Sequence, residues 1–183
     1  MTAIKSKRVL VLIAVLIVLS CALYALFSFR RGKVIESWQT GNDVFAIRVT
    51  AHSERLSLPG LGGAYYVFDS SVLGSDRWTE FLVFRHDNSV SIPRDQVRFV
   101  TPQVAYVFMG WKYGITTDGG STWSVWDAEK DLPDWQCCNY SLIRDVRIAP
   151  DGTGTMKLNP PSGLDRQVSE LQTKDYGRRW NLP

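Results

Sequence analysis

The sequence predicts an all-β fold: a small antiparallel sandwich-like or incomplete propeller-like domain of two or three blade-type units, preceded by one N-terminal transmembrane helix. Three observations predict it. An eight-residue word, T-x-D-x-G-x-[TR]-W, occurs twice, at 116–123 (TTDGGSTW) and at 173–180 (TKDYGRRW). Each copy closes a longer unit of short, β-rich segments. Ahead of both units, residues 9–29 (VLVLIAVLIVLSCALYALFSF) carry no charge, a length that at helical rise crosses the hydrocarbon core of a bilayer.

The first segment, 1–8, is a basic tail, and 9–29 is the anchor. Such a tail followed by an apolar run has the form of a signal-anchor, which places the short tail in the cytoplasm and the large domain on the extracytoplasmic side of a plasma or inner membrane. Basic residues flank the run on both sides: Lys5, Lys7 and Arg8 before it, Arg30, Arg31 and Lys33 after it. The charge count alone therefore leaves the orientation nearly tied. Within the run, Val18-Leu19-Ser20-Cys21 resembles a lipoprotein processing site, so a lipid-modified Cys21 is the alternative tether. The continued apolar stretch after Cys21 favours the spanning helix, with the thiol as a small hydrophobe. Residues 30–37 read as a short juxtamembrane connection with no stalk.

The remaining span, 38–183, is the β domain. Residues 43–54 (DVFAIRVTAHSE) alternate as a strand does, and 58–63 form a Gly-rich turn without the spacing of a phosphate loop. Two further β-rich stretches, 64–68 (AYYVF) and 79–84 (TEFLVF), enclose 69–78 (DSSVLGSDRW). This linker holds Asp, Ser, Gly and a closing Trp, like a degenerate copy of the eight-residue word, but the spacing fails. From Gln96 the chain repeats itself: 96–100 (QVRFV) aligns with 145–149 (DVRIA), and each is followed by a Pro-containing turn, two strands and the word. The starts lie 49 residues apart and the words 57, so the second unit carries an insertion, assigned to 159–166. Repeats of this size built from short strands indicate antiparallel blade-type sheets. About 150 residues cannot fill a closed propeller of six or more blades, so the sheets must pack on one another or on a partner.

In each copy of the word, Asp and Ser/Thr oxygens can accept from turn amides, Gly can take positive φ, and Trp can cover the corner. The word resembles the Asp-box, the turn motif repeated in the blades of sialidases, sortilin-type receptors and photosystem II assembly factors. That resemblance implies a bracing role, away from any binding site, for Thr116, Asp118, Gly120 and Trp123 and for Thr173, Asp175, Gly177 and Trp180. It covers the two turns and their strands only, and no sialidase arginine cluster carries over.

Between the two words, 124–141 (SVWDAEKDLPDWQCCNYS) reads as an exposed acidic and aromatic loop. Trp126, Asp127, Glu129, Asp131, Asp134, Trp135 and Tyr140 are the candidate partner-binding residues, since recognition usually sits on loops carried by a rigid scaffold. The run Asp127, Glu129, Asp131, Asp134 lacks the pattern of an EF-hand, so it reads as a solvated acidic face, with calcium as the weaker reading. Cys137 and Cys138 are adjacent and give no disulfide framework. His52 and His86 stand alone, and no catalytic motif, metal-ligand spacing or cofactor signature is present.

Charge completes the reading. Residues 1–33 hold six Lys/Arg and no acid, which leaves fifteen bases against eighteen acids, or about −3, for the rest. A basic footprint for nucleic acid is absent from the domain. The expected function is a non-enzymatic protein-binding module of the cell envelope, an accessory subunit or an inhibitor of immunity type, with an unidentified protein partner. The alternative is a glycan-binding or glycan-active envelope protein. Self-association that completes a larger array of sheets is a further option left by the small number of units.

Overall fold

The computed structural model describes residues 17, 20, 31–54, 63–87, 91, 93–132, 141–159 and 170–183. Of the apolar run, Ile17 and Ser20 are described, both helical, with the Ser20 hydroxyl donating to the Ile17 carbonyl. The rest of the anchor, with Cys21, lies outside the described residues. Among those residues no helix is long and apolar enough to cross a membrane.

Among the described residues eleven strands form three antiparallel sheets in chain order. The first runs β1 (Arg31–Gly41), β2 (Phe45–Glu54), β3 (Ala64–Val72), β4 (Thr79–His86). The second runs β5 (Val97–Phe99), β6 (Ala105–Met109), β7 (Lys112–Thr116), β8 (Ser124–Asp127). The third is β9 (Ile143–Ile148), β10 (Gly154–Leu158), β11 (Glu170–Thr173), with Asn181 bridged to Gln172 where a fourth strand would lie. Helix elsewhere among the described residues is confined to a 3-10 turn at Arg94–Gln96 and a single turn, α1 (Ala128–Asp131).

Packing follows from strand alternation. Phe45, Ile47, Val49 and Ala51 of β2 meet Ala105, Val107 and Met109 of β6 in one core. The other face of β6, Tyr106 and Phe108, joins Val146, Met156 and Leu171 of the third sheet in a second core. All five residues of β6 are therefore buried. The domain has three layers, with the middle sheet covered on both faces, where a sandwich would have two.

Two segments differ from their sequence reading. Residues 31–37, expected as a connection, belong to β1, whose register slips between Arg31 and Val34 and again between Val34 and Glu36. Bulges of this kind interrupt the two-residue period by which a strand is recognised. The linker expected over 69–78 begins inside β3, where Asp69 pairs with Arg48 across the sheet, 3.0 Å from the guanidinium.

The meander divides the stack into two ends. Every first-to-second and third-to-fourth connection lies at one end, held together by Asn42 Nδ2 donating to the Pro102 carbonyl (3.1 Å), the Gly119 amide to the Gln103 carbonyl (2.9 Å) and Arg178 Nη2 to Thr117 Oγ1 (2.7 Å). The chain enters at the opposite end, where Arg31 faces Glu54, and the connection beginning at α1 leaves the second sheet at that same end.

Candidate functional site

The two matching turns share a set of bonds. Thr116 Oγ1 donates to Asp118 Oδ1 (2.9 Å) and accepts from the Gly120 amide (3.0 Å), while Asp118 Oδ1 also accepts from the Thr122 amide (2.9 Å). In the second copy Thr173 Oγ1 donates to Asp175 Oδ1 (2.8 Å) and accepts from the Gly177 amide (2.9 Å), and the Arg179 amide donates to Asp175 Oδ1 (3.0 Å). The fifth position is glycine in both because φ is +81° at Gly120 and +80° at Gly177 and no side chain would fit. A Cβ on Gly120 would lie 2.6 Å from the Phe45 ring, and one on Gly177 2.7 Å from the Tyr113 hydroxyl. Partial burial pushes the Asp118 carboxyl upward, but the Thr122 hydroxyl (2.5 Å) and amide, with the Thr116 hydroxyl, outweigh it and hold the group below the usual carboxylate range. Such a carboxylate is an acceptor locked into its own loop.

The closing tryptophans reach past their turns to the preceding sheet. Trp123 stacks on Phe81 of β4 and donates Nε1–H to Ser70 Oγ (3.0 Å), and Ser70 passes the bond on to the Gly120 carbonyl (3.0 Å). Trp180 makes the corresponding contact one sheet later, edge-on to Tyr113 at 5.4 Å and 6.4 Å from Trp126. The Tyr113 hydroxyl donates to the Tyr176 carbonyl (2.9 Å), tying the second turn to β7.

A third turn of the same construction joins β3 to β4, over 71–78 (SVLGSDRW). Its flanking pair, Ser70↔Thr79, matches Ile115↔Ser124 and Gln172↔Asn181, so all three turns span the same number of residues. Each takes positive φ at its fourth position, at Gly74 (+81°), Gly119 (+69°) and Tyr176 (+62°). Each also hydrogen-bonds back to the first-to-second connection of its own sheet, through Leu73 to Val44, Gly119 to Gln103 and Tyr176 to Gly152. The carboxylate is replaced by Leu73 and the fifth-position glycine by Ser75, and Ser71 Oγ donates to the Ser75 carbonyl (2.9 Å) where the other turns accept the fifth amide. Counting seven residues back from Trp78, rather than forward from Asp69, reveals this copy in the sequence.

A second unforeseen element is Arg98 on β5. Its guanidinium donates to the Val146 carbonyl (2.6 Å) and to Asp145 Oδ1 (2.9 Å), with Nε on the Asp95 carbonyl (2.9 Å). Tyr106 Oη donates to the same Val146 carbonyl (2.7 Å). This junction ties the inner edges of the second and third sheets. Burial raises the Asp145 carboxyl, but Arg147 and Arg98 more than compensate and keep it below the usual range.

Four of the seven candidate partner-binding residues, Trp126, Asp127, Glu129 and Asp131, are described. Trp126 belongs to β8, opposite Tyr113, and is half-buried against the second core. Asp127 caps α1, accepting from the Glu129 amide (3.2 Å), and lies 4.0 Å from Lys112 Nζ. Glu129 is half-buried and Asp131 exposed on that turn. Asp134, Trp135, Tyr140, Cys137 and Cys138 lie outside the described residues. His52 Nδ1 stands 3.4 Å from the Gly32 carbonyl and His86 packs near Phe84, each in its own strand. Among the described residues, no group of three or more His, Cys, Asp or Glu could hold a metal ion. Comparison of the chain with protein-family models, with curated proteins and with solved structures finds no match.

Proposed function

We propose that this chain is a membrane-tethered, extracytoplasmic and non-enzymatic protein-binding module, an incomplete propeller of three blade-type units whose turns of the Asp-box kind act as braces. The observation that carries the reading is the polarity of the stack. The chain enters at Arg31, directly after the apolar run, at the end opposite the braced turns. Bracing is spent on the far end. The near end bears α1, on the side from which the chain enters, so the partner is a protein of the same membrane or one lying on it. An envelope accessory subunit and an inhibitor of an envelope enzyme share this geometry. The glycan-binding alternative draws on fewer aromatics than the sequence offers, because Tyr113 and Trp126 are engaged between sheets.

The test uses the full-length chain in its native membrane with a photo-crosslinker in place of the exposed Asp131 (Asp131→p-benzoylphenylalanine). A reproducible membrane-associated protein adduct, identified by mass spectrometry, supports the reading. Turnover of an envelope glycan by the purified full chain, with no protein adduct, overturns it. Mass spectrometry of the N-terminus separates an intact anchor from a chain lipidated at Cys21.

A further inference from the structure

The three sheets follow one rule: the tryptophan closing each turn seats on the face of the sheet before it. Trp123 of the second sheet rests on the first, over the row Thr40↔Ile47↔Ser70. Trp180 of the third rests on the second, on the face that carries the matching row Arg98↔Tyr106↔Ile115. The rule leaves one group and one surface over. Among the described residues no sheet precedes the first, so Trp78 has none there to seat on. The outer face of the third sheet, carrying the matching row Arg147↔Thr155↔Gln172, receives no tryptophan of a later sheet among the described residues.

Both leftovers have the character of contact surfaces. Over that row of the third sheet lies an open concavity of about 550 Å³, lined by Arg147, Gly154, Thr155, Gln172, Thr173 and Lys174. At the other end, Trp78 is half-buried with the Arg48 guanidinium over its ring, 4.4 Å from the centroid. Beside it Val72 is 40% and Leu73 69% exposed, apolar at positions where the other two turns carry Thr117-Asp118 and Lys174-Asp175. A braced turn that seats on nothing has no use for apolar residues at its tip. The concavity itself has exposed Arg147 and Lys174 in its lining, and the seating turn carries exposed Asp76 with Arg77 beside it.

We infer that the partner of these surfaces is a second copy of this chain, with the turn 71–78 of one copy seated on the Arg147–Thr155–Gln172 face of the other. The contact is head-to-tail, so it continues the sheet succession from one copy into the next. This inference rests on the blade-type succession proposed above and names one binding partner for it. It does not depend on the membrane tether.

The experiment mixes full-length chains of two isotopic compositions in detergent micelles, one carrying Leu73→p-benzoylphenylalanine, and maps the adducts after irradiation. Expected are mixed-isotope pairs joining the 71–78 peptide to peptides containing Thr155 or Gln172. Leu73→Lys, at an exposed position set against the Arg147 and Lys174 lining, should weaken the pairing about tenfold or more while leaving the melting temperature of the dilute, unpaired chain unchanged. Adducts elsewhere on a second copy, adducts on a different protein, or none at all each overturn the self-pairing. Adducts on a different protein leave the binding-module reading standing. An absence of protein adducts from the Asp131 probe bears on that reading and not on this one.

Discussion

Trp123, which closes a turn of the second sheet, lies flat on Phe81 of the first, ring centroids 3.7 Å apart and planes within 5° of parallel. The indole also donates to Ser70 Oγ, so one side chain supplies both apolar area and a polar tie across the interface. Trp123→Phe keeps the ring contact and loses the hydrogen bond, an expected cost of about 1 kcal/mol. Trp123→Ala removes both, and about 2–4 kcal/mol is expected for a half-buried tryptophan. Urea denaturation of the two variants measures the split, and equal losses would place the whole contribution in the hydrogen bond.

Asp118 gives the stack a dependence on acid. Its folded-state carboxyl titrates below the ordinary range of about 4, so its contribution is complete above that range and is lost as pH falls through the folded value. Asp145 adds in the same direction. Stability should decline from about pH 5 toward pH 2, and Asp118→Asn should make the decline shallower. At neutral pH, Asp118→Ala should cost about 1–2 kcal/mol through the unpaired turn donors. An unchanged slope in Asp118→Asn would show that the turn does not depend on the charge.

The Arg98 junction makes a separate prediction. Arg98→Met removes three donors, two of them shared with the edge of the third sheet, and should cost about 2–3 kcal/mol because the bonds are charge-assisted. A double-mutant cycle with Asp145→Asn should return a coupling of about 1 kcal/mol. Strict additivity would mean that Arg98 acts through the Val146 carbonyl alone.

Tyr176 holds φ at +62°, where the equivalent turns have glycine. Its hydroxyl donates to the Pro150 carbonyl (2.7 Å), and its ring lies over Gly152. Tyr176→Phe should cost about 0.5–1 kcal/mol for the lost bond. Tyr176→Gly relieves the backbone but removes the ring, and a net loss of about 1 kcal/mol is expected. A gain in stability on Tyr176→Gly would show that the ring contact contributes less than the strain.

The two braced turns were legible because each is a local word: Thr, Asp and Gly meet within eight residues and need nothing from the rest of the chain. The third turn was hidden because two letters of the word are lost, the carboxylate to Leu73 and the glycine to Ser75, while the backbone bond to the neighbouring connection is kept. Residues 31–37 were hidden by bulges that place Val34 and Ile35 side by side, both half exposed, against strand alternation. Trp126 read as a loop aromatic because β8 is four residues long, too short for a period to show. Its pairing with Tyr113 is a tertiary fact. Arg98 and Asp145 appeared only as aligned positions of two repeats, because the bond between them crosses sheets.

The burial of β6 on both faces bears on how the molecule comes apart. Alternate residues of this one strand fill both interfaces, so withdrawing either outer sheet strips one side of a strand that has no water-compatible face. Neither pair of layers is a stable remnant, and the domain should melt as one cooperative unit instead of shedding its sheets in turn.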